Sequence, residues 1–159
     1  MSFVNIYFSL GSNLGDREAN ILEALRRMDE AFGCHYSALS RLIETKPMGF
    51  SGGKFLNAAV LYRVYFSPDF APLEVLRTGK SIEREMGRTD PPEYDGEGNR
   101  IYHSRIIDID ILFYGTERID IPELTIPHKG IADRPFVMIP LLEIAKPSLK
   151  RAFPEYFDG

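Results

Sequence analysis

Tryptophan is absent from this 159-residue chain, and cysteine occurs once, at Cys34. A lone cysteine excludes an internal disulfide, so an apolar core must hold the fold, and a reducing compartment is expected. Cys34 itself reads as a small filler near the end of a helix. Long apolar runs are missing too: nothing approaches the roughly 18 apolar residues of a membrane span. Met1 to Leu10 lacks a basic stretch followed by a long apolar run, so no secretory leader is expected and the cytoplasm is the expected compartment. Charge of one sign is also scarce. Lys and Arg number 19 against 23 Asp and Glu, a formal net charge of −4 with no block of like charges. That balance argues against a nucleic-acid or membrane-surface protein, so neither partner is expected. It leaves room for a local basic pocket around a small anion.

Hydrophobic residues make up 44% of the chain, enough for one core, and the length suits a single domain over 1–159. Val4, Ile6 and Phe8 alternate with Asn5, Tyr7 and Ser9, the pattern of a half-buried strand. Gly11-Ser12-Asn13-Leu14-Gly15-Asp16 reads as a turn-rich loop whose Asp16 can cap a helix running to about Phe32. Strands are expected from about Tyr36 to Thr45 and from Phe55 to Phe66. Pro72 fits the first turn of a second helix, on which Leu73, Leu76, Lys80 and Glu83 share a face, and Gly87 fits its C-terminal stop. Residues 89–104 carry Pro91, Pro92, Gly96 and Gly98 without periodicity. A structureless loop of that length inside a compact domain is unusual and often functional. Ile106 to Phe113 is the next strand, after which Pro122, Pro127, Pro135 and Pro140 are expected to break the chain into short pieces. The order strand, helix, strand, strand, helix, strand predicts an α+β fold. It is a ferredoxin-like βαββαβ core, its antiparallel sheet carrying helices on one face, with extra C-terminal elements elsewhere.

The chemistry concentrates in three places. In Arg105-Ile106-Ile107-Asp108-Ile109-Asp110-Ile111-Leu112-Phe113, residues two apart share a face of a strand, so Asp108 and Asp110 point the same way and the isoleucines face the core. Two adjacent carboxylates repel unless a positive charge sits between them. One reading is a magnesium site completed by phosphate oxygens; the other is a solvated strand face carrying two acids. In Thr125-Ile126-Pro127-His128-Lys129, with Arg134 beyond, the cations either donate to phosphate oxygens or decorate a solvated turn. In Phe55-Leu56-Asn57-Ala58-Ala59, a buried amide must be hydrogen-bonded. Asn57 either bonds to backbone or reads a flat heterocycle, on which Phe55 from the same face can stack.

These segments, taken in order with Gly11-Ser12-Asn13-Leu14-Gly15-Asp16 and Arg134-Pro135-Phe136, resemble the 6-hydroxymethyl-7,8-dihydropterin pyrophosphokinases of folate biosynthesis from Ile6 to about Ala145. The resemblance implies a pyrophosphoryl transfer from ATP to the pterin hydroxymethyl oxygen, with AMP leaving. It implies two magnesium ions on Asp108 and Asp110, with ATP as co-substrate. Catalytic roles fall to Asp108, Asp110 and Arg105. Asn57 would bond the pterin edge with backbone near Thr45 and Met48, while Phe55 and Phe136 stack on the ring. Lys80 and Glu83 take nucleotide-side positions; Arg88, Arg105, His128 and Arg134 contact phosphates; backbone near Ile111 and Thr125 holds the adenine. Lys129 replaces a common Tyr and can bind phosphate. Phe55 replaces the family's usual Tyr, and Tyr102-His103-Ser104 stands where Trp-Gly-Pro is common. A monomer acting on these two small molecules is expected. A non-catalytic pterin- or nucleotide-binding module and a metal-dependent hydrolase are the rival readings.

Overall fold

The computed structural model describes residues 2–45, 54–87, 93–94, 96–97, 100–101, 106–132 and 134–157. Its centre is β1 (Phe3–Ser12), which runs two residues past the expected strand because Gly11 and Ser12 still pair on both sides or on one. Asp16 ends the following turn and accepts from the Ala19 N–H, capping α1 (Arg17–Phe32). Ile21, Ala24, Leu25, Met28 and Phe32 form the buried face of that helix, and Gly33 closes it at φ 70°, a left-handed conformation that suits glycine.

The single strand expected from Tyr36 to Thr45 is two short ones, β2 (Ala38–Leu39) and β3 (Ile43–Thr45), both paired with β4 (Phe55–Tyr65). Ser40 N–H still donates to Ala59 O at 2.9 Å. The register then slips by one residue before Ile43 meets Asn57. The bulge leaves the Ala59 N–H without a backbone partner, and Ser40 Oγ accepts it at 2.8 Å. Arg41 N–H, turned outward at the bulge, donates to Glu143 at 3.0 Å.

After a short 3₁₀ turn, α2 (Pro72–Glu85) runs with proline in its first turn, and Gly87 follows at φ 107°. Inside the segment expected to be structureless, β5 (Glu93–Tyr94) and β6 (Arg100–Ile101) pair across a Gly96–Glu97 turn. Two β-forming stretches around a glycine turn suffice for that minimal ladder. β7 (Asp108–Tyr114) then pairs with β1, giving the sheet order β2-β4-β1-β7 with β3 also on β4. All these pairings are antiparallel. The expected βαββαβ core is present.

The C-terminal quarter corrects the expectation of short broken pieces. Pro122 sits in the two-residue turn of a hairpin, β8 (Ile119–Ile121) with β9 (Leu124–Ile126). Pro140 lies inside α3 (Pro135–Ile144) without ending it. Its ring is buried there, and that burial offsets the backbone bond it cannot donate. The chain finishes in α4 (Pro147–Ala152) and α5 (Pro154–Phe157).

The two faces of the sheet bury separate apolar clusters. Ile6, Phe8, Leu10, Tyr62, Ile107, Ile109 and Ile111 pack under α1 and α2. Tyr7, Leu61, Leu112 and Phe113 pack under the C-terminal helices, with Phe153 stacked 4.9 Å from Phe113. Tyr7 ties the second layer down: its hydroxyl accepts the Lys146 N–H at 3.0 Å. Among the described residues no helix is long and apolar enough to cross a membrane.

The bulge at Ser40 gives a direct test. Ser40→Ala strands the buried Ala59 N–H, and an unpaired buried donor costs about 1–3 kcal/mol. Urea denaturation is expected to show a loss of that size at unchanged slope. An unaltered midpoint would mean that the hydroxyl is replaceable.

Candidate active site

The site begins with the alternation in β7. Ile107, Ile109 and Ile111 are buried in the helix-side core, so Asp108 and Asp110 stand on the opposite face, each partly exposed. Antiparallel pairing places Asp108 beside Gly11, Gly11 beside Asn57, and Asn57 beside Ile43. The next row on that face is Asp110, Ser9 and Ala59. Directly opposed residues share a face, so one row carries Asp108 and Asn57 on either side of a glycine. Two strand spacings separate them, roughly 10 Å.

Asn57 is 4% exposed, and its amide donates to Thr45 Oγ1 at 2.7 Å. Among the described residues that bond goes to a side chain, and it orients the amide plane. Phe55 stands two residues earlier on the same strand, partly buried.

β7 is an edge strand, and Glu83 of α2 occupies its free side: the 1%-exposed carboxylate accepts the Ile109 N–H at 2.8 Å. Lys80, one turn earlier, lines a cleft instead. The shared helix face expected from sequence thus divides into a strand anchor and a cleft cation. Gly79 of α2 packs on the same strand: a Cβ there would meet the Ile109 side chain at 3.5 Å, an ordinary van der Waals contact.

Leu112 is a β-bulge. The register with β1 shifts between Phe8/Ile111 and Tyr7/Phe113, and consecutive Leu112 and Phe113 both enter the C-terminal cluster. Bulges re-aim strand groups near functional sites. Here the Leu112 carbonyl accepts the His128 N–H at 3.1 Å, pinning the segment after β9 against β7. His128 Nδ1 accepts the Gly130 N–H at 2.9 Å, which assigns the neutral ring's proton to Nε2. Nε2 lies 3.8 Å from Asp110 Oδ1, too far for a hydrogen bond and close enough to attract.

The result is an open cleft of about 490 Å³ between β7, α2, the hairpin and the loop before α3. Lys80, Asp110, Ile111, Thr125, His128, Lys129 and Arg134 all line it. Residues spread between Leu76 and Arg134 thus form one concavity that gathers Lys80, Lys129 and Arg134 beside the carboxylates of Asp110 and Glu123, on a chain of net charge −4. Phe136 stands apart from that lining: partly buried against the C-terminal cluster, it takes the Arg134 guanidinium 5.9 Å from its ring centre. Met48, Arg88 and Arg105 lie outside the described residues.

Hard oxygen donors on Asp108 and Asp110, with Asp110 about half exposed at the cleft, suit a divalent ion such as magnesium. Among the described residues no three His, Cys, Asp or Glu side chains converge on a metal position. Magnesium ordinarily takes one or two carboxylates and completes its shell with water and phosphate oxygens.

Sequence reasoning missed several parts of this arrangement. Leu76, Pro122, Glu123 and Leu124 form cleft wall; only the hairpin, unseen in the sequence, brings the last three there. Gly130 was also missed. A Cβ at that position would lie 2.9 Å from Arg134 Cδ, so a side chain there would move the flexible arginine to another pose. The unbroken Ile111-Leu112-Phe113 run did signal a break in alternation. The expected Gly11–Asp16 loop is used up structurally: Ser12 is buried against Asn20, and Asp16 already caps α1.

A family model described as 7,8-dihydro-6-hydroxymethylpterin-pyrophosphokinase (HPPK) matches residues 7–146. The chain is 40% identical over 142 residues to a Porphyromonas gingivalis protein named 2-amino-4-hydroxy-6-hydroxymethyldihydropteridine pyrophosphokinase, covering 88% of this chain and 90% of that one. A Bacillus subtilis protein of the same name is 33% identical over 147 residues, 92% of this chain and 81% of its own. Among solved structures, an HPPK-DHPS in complex with substrates superposes with a TM-score of 0.65 at 15% identity. That match covers 98% of this chain and 44% of the other, and it shows the fold.

The anchor on β7 is testable. Glu83→Ala leaves the Ile109 N–H unpaired and is expected to cost about 1–3 kcal/mol in chemical denaturation. Glu83→Gln keeps an acceptor and is expected to recover most of that loss. Equal stability of both variants and the parent would remove Glu83 from the account of how β7 is held.

Proposed function

This chain belongs to the 7,8-dihydro-6-hydroxymethylpterin-pyrophosphokinase family, and on that premise we propose which residues perform its reaction. The enzyme transfers a pyrophosphoryl group from ATP to 6-hydroxymethyl-7,8-dihydropterin in folate biosynthesis. The hydroxymethyl oxygen attacks the β-phosphorus and forms the new O–P bond. The bond from that phosphorus to the α–β bridging oxygen breaks, AMP leaves with the oxygen, and the hydroxyl proton is released to solvent.

The observation that carries the residue assignment is the convergence of Asp110 with Lys80, His128, Lys129 and Arg134 on one cleft. ATP lies there, its adenine against backbone near Ile111 and Thr125. The basic groups take the phosphate oxygens, Arg134 as a two-pronged donor and His128 through Nε2–H. Arg88 and Arg105 add phosphate contacts from outside the described residues. Asp108 and Asp110 hold magnesium, two ions by expectation, which when bound neutralises charge on the transferring phosphates. The pterin lies along the sheet toward β4, its edge read by Asn57, with backbone near Thr45 and Met48 and the rings of Phe55 and Phe136. No side chain need act as a dedicated base. Catalysis rests on alignment and charge neutralisation, as in other phosphoryl transfers. We place the enzyme in the cytoplasm as a monomer; the lone Cys34, which excludes an internal disulfide, suits a reducing compartment.

Incubation with ATP, magnesium and the hydroxymethyl-dihydropterin is expected to yield AMP in step with pterin consumed. Asp110→Ala is expected to lose at least about 10³-fold in turnover, each tenfold being ~1.4 kcal/mol of barrier. Its magnesium-free melting curve should be unchanged or raised, because one of two like charges is gone. Stoichiometric ADP, or near-parental turnover of the variant, would refute the scheme.

Asn57→Ala separates the two halves of the site. A pocket built to hydrogen-bond a heterocycle loses it when its amide vanishes, so pterin affinity is expected to fall far more than affinity for an ATP analogue. Equal losses in calorimetry would make Asn57 a strand-stabilising amide.

A further inference from the structure

Of the residues on the sheet face between the acids and the amide, Gly11 has no place in the reaction so far. Three observations single it out. It sits in β1 directly between Asp108 on β7 and Asn57 on β4. Its backbone needs no glycine, since it is absent from the positive-φ positions. And an added Cβ would meet Asn57 Oδ1 at 3.1 Å and the Phe55 ring at 3.5 Å. The first of those contacts is tighter than nearly all that a Cβ makes, so Asn57 must give by a few tenths of an ångström, and a shift of that size disturbs the bond its amide makes to Thr45 Oγ1 at 2.7 Å.

We propose that Gly11 is a positioning residue for the acceptor: its missing side chain keeps the Asn57 amide in its pterin-reading pose and leaves bare floor across which the hydroxymethyl group reaches the phosphates. A glycine in mid-strand weakens a sheet, so this one is kept against the interest of the fold. The geometry supports that trade. The amide and the acid row lie about two strand spacings apart, roughly 10 Å, and the substrate must bridge that span over β1. Any side chain at position 11 both pushes the reading amide and stands in the path. The nucleotide cleft, which Gly11 does not line, is untouched.

The inference rests on Asn57 reading the pterin, so the test uses a double-mutant cycle of Gly11→Ala and Asn57→Ala in the full-length enzyme. Readouts are pterin KM, kcat, affinity for a non-hydrolysable ATP analogue with magnesium, and melting temperature. Gly11→Ala is expected to raise pterin KM at least tenfold and leave nucleotide affinity within twofold. The double variant is expected to show a pterin KM no worse than that of Asn57→Ala, because the amide that the new methyl pushes is gone, while the obstructed path still lowers kcat. If Gly11→Ala does not fold, the clash account requires the double variant to fold, since trimming Asn57 removes the clash; failure of both overturns it. Unchanged pterin KM in Gly11→Ala, equal loss of nucleotide affinity, or additive losses also overturn it. If Asn57→Ala itself leaves pterin binding intact, the reading of Asn57 has failed instead, which the single variant reveals independently.

Discussion

The period-two alternation of β7 is the constraint on which the rest depends. Its isoleucines fill the helix-side core, so its two aspartates must emerge on the other face. A slip of one residue would bury both carboxylates and expose the isoleucines, which the cost of burying unpaired charge forbids. An edge strand needs more than that to stay in register, and three features supply it. β1 pairs along one side. Glu83 takes the Ile109 N–H on the other. The Leu112 bulge redirects the carbonyl that holds His128. The same strand therefore places the acids and locates the basic wall opposite them.

That arrangement gives the enzyme two half-sites joined by the sheet. Polar and cationic groups crowd the end toward α2 and the hairpin, where the phosphates of the proposed ATP site would bring compensating charge. The end toward β4 presents a buried amide already oriented by Thr45. Preorganisation of this kind lowers the cost of aligning two substrates, which is where most of the barrier lies in a transfer with little covalent work for the protein.

Much of this was legible in the chain. The helix cap at Asp16, the order of strands and helices, the shared face of Asp108 and Asp110, and the cluster around His128 all follow from local rules about period, capping and spacing. Departures came where tertiary contacts override those rules. One strand became two because Ser40 supplies a side-chain acceptor at a bulge. Pro140 stayed within a helix because burial compensates it. Glu83 accepts a strand N–H, a contact that helical spacing alone does not reveal. The glycines were the least legible: the meaning of Gly11 and Gly130 lies in what a Cβ would strike, and that is known only once Asn57 and Arg134 have positions.

The central claim is that Asp108 and Asp110 share one metal-bearing face. A crystal structure with a non-hydrolysable ATP analogue, the pterin, and manganese in place of magnesium tests it directly, because anomalous scattering locates the ions. The account predicts ions in contact with carboxylate oxygens of both Asp108 and Asp110, at about 2.1 Å, and also with phosphate oxygens. Ions that touch phosphates but neither aspartate, or aspartates on opposite faces of β7, would contradict it.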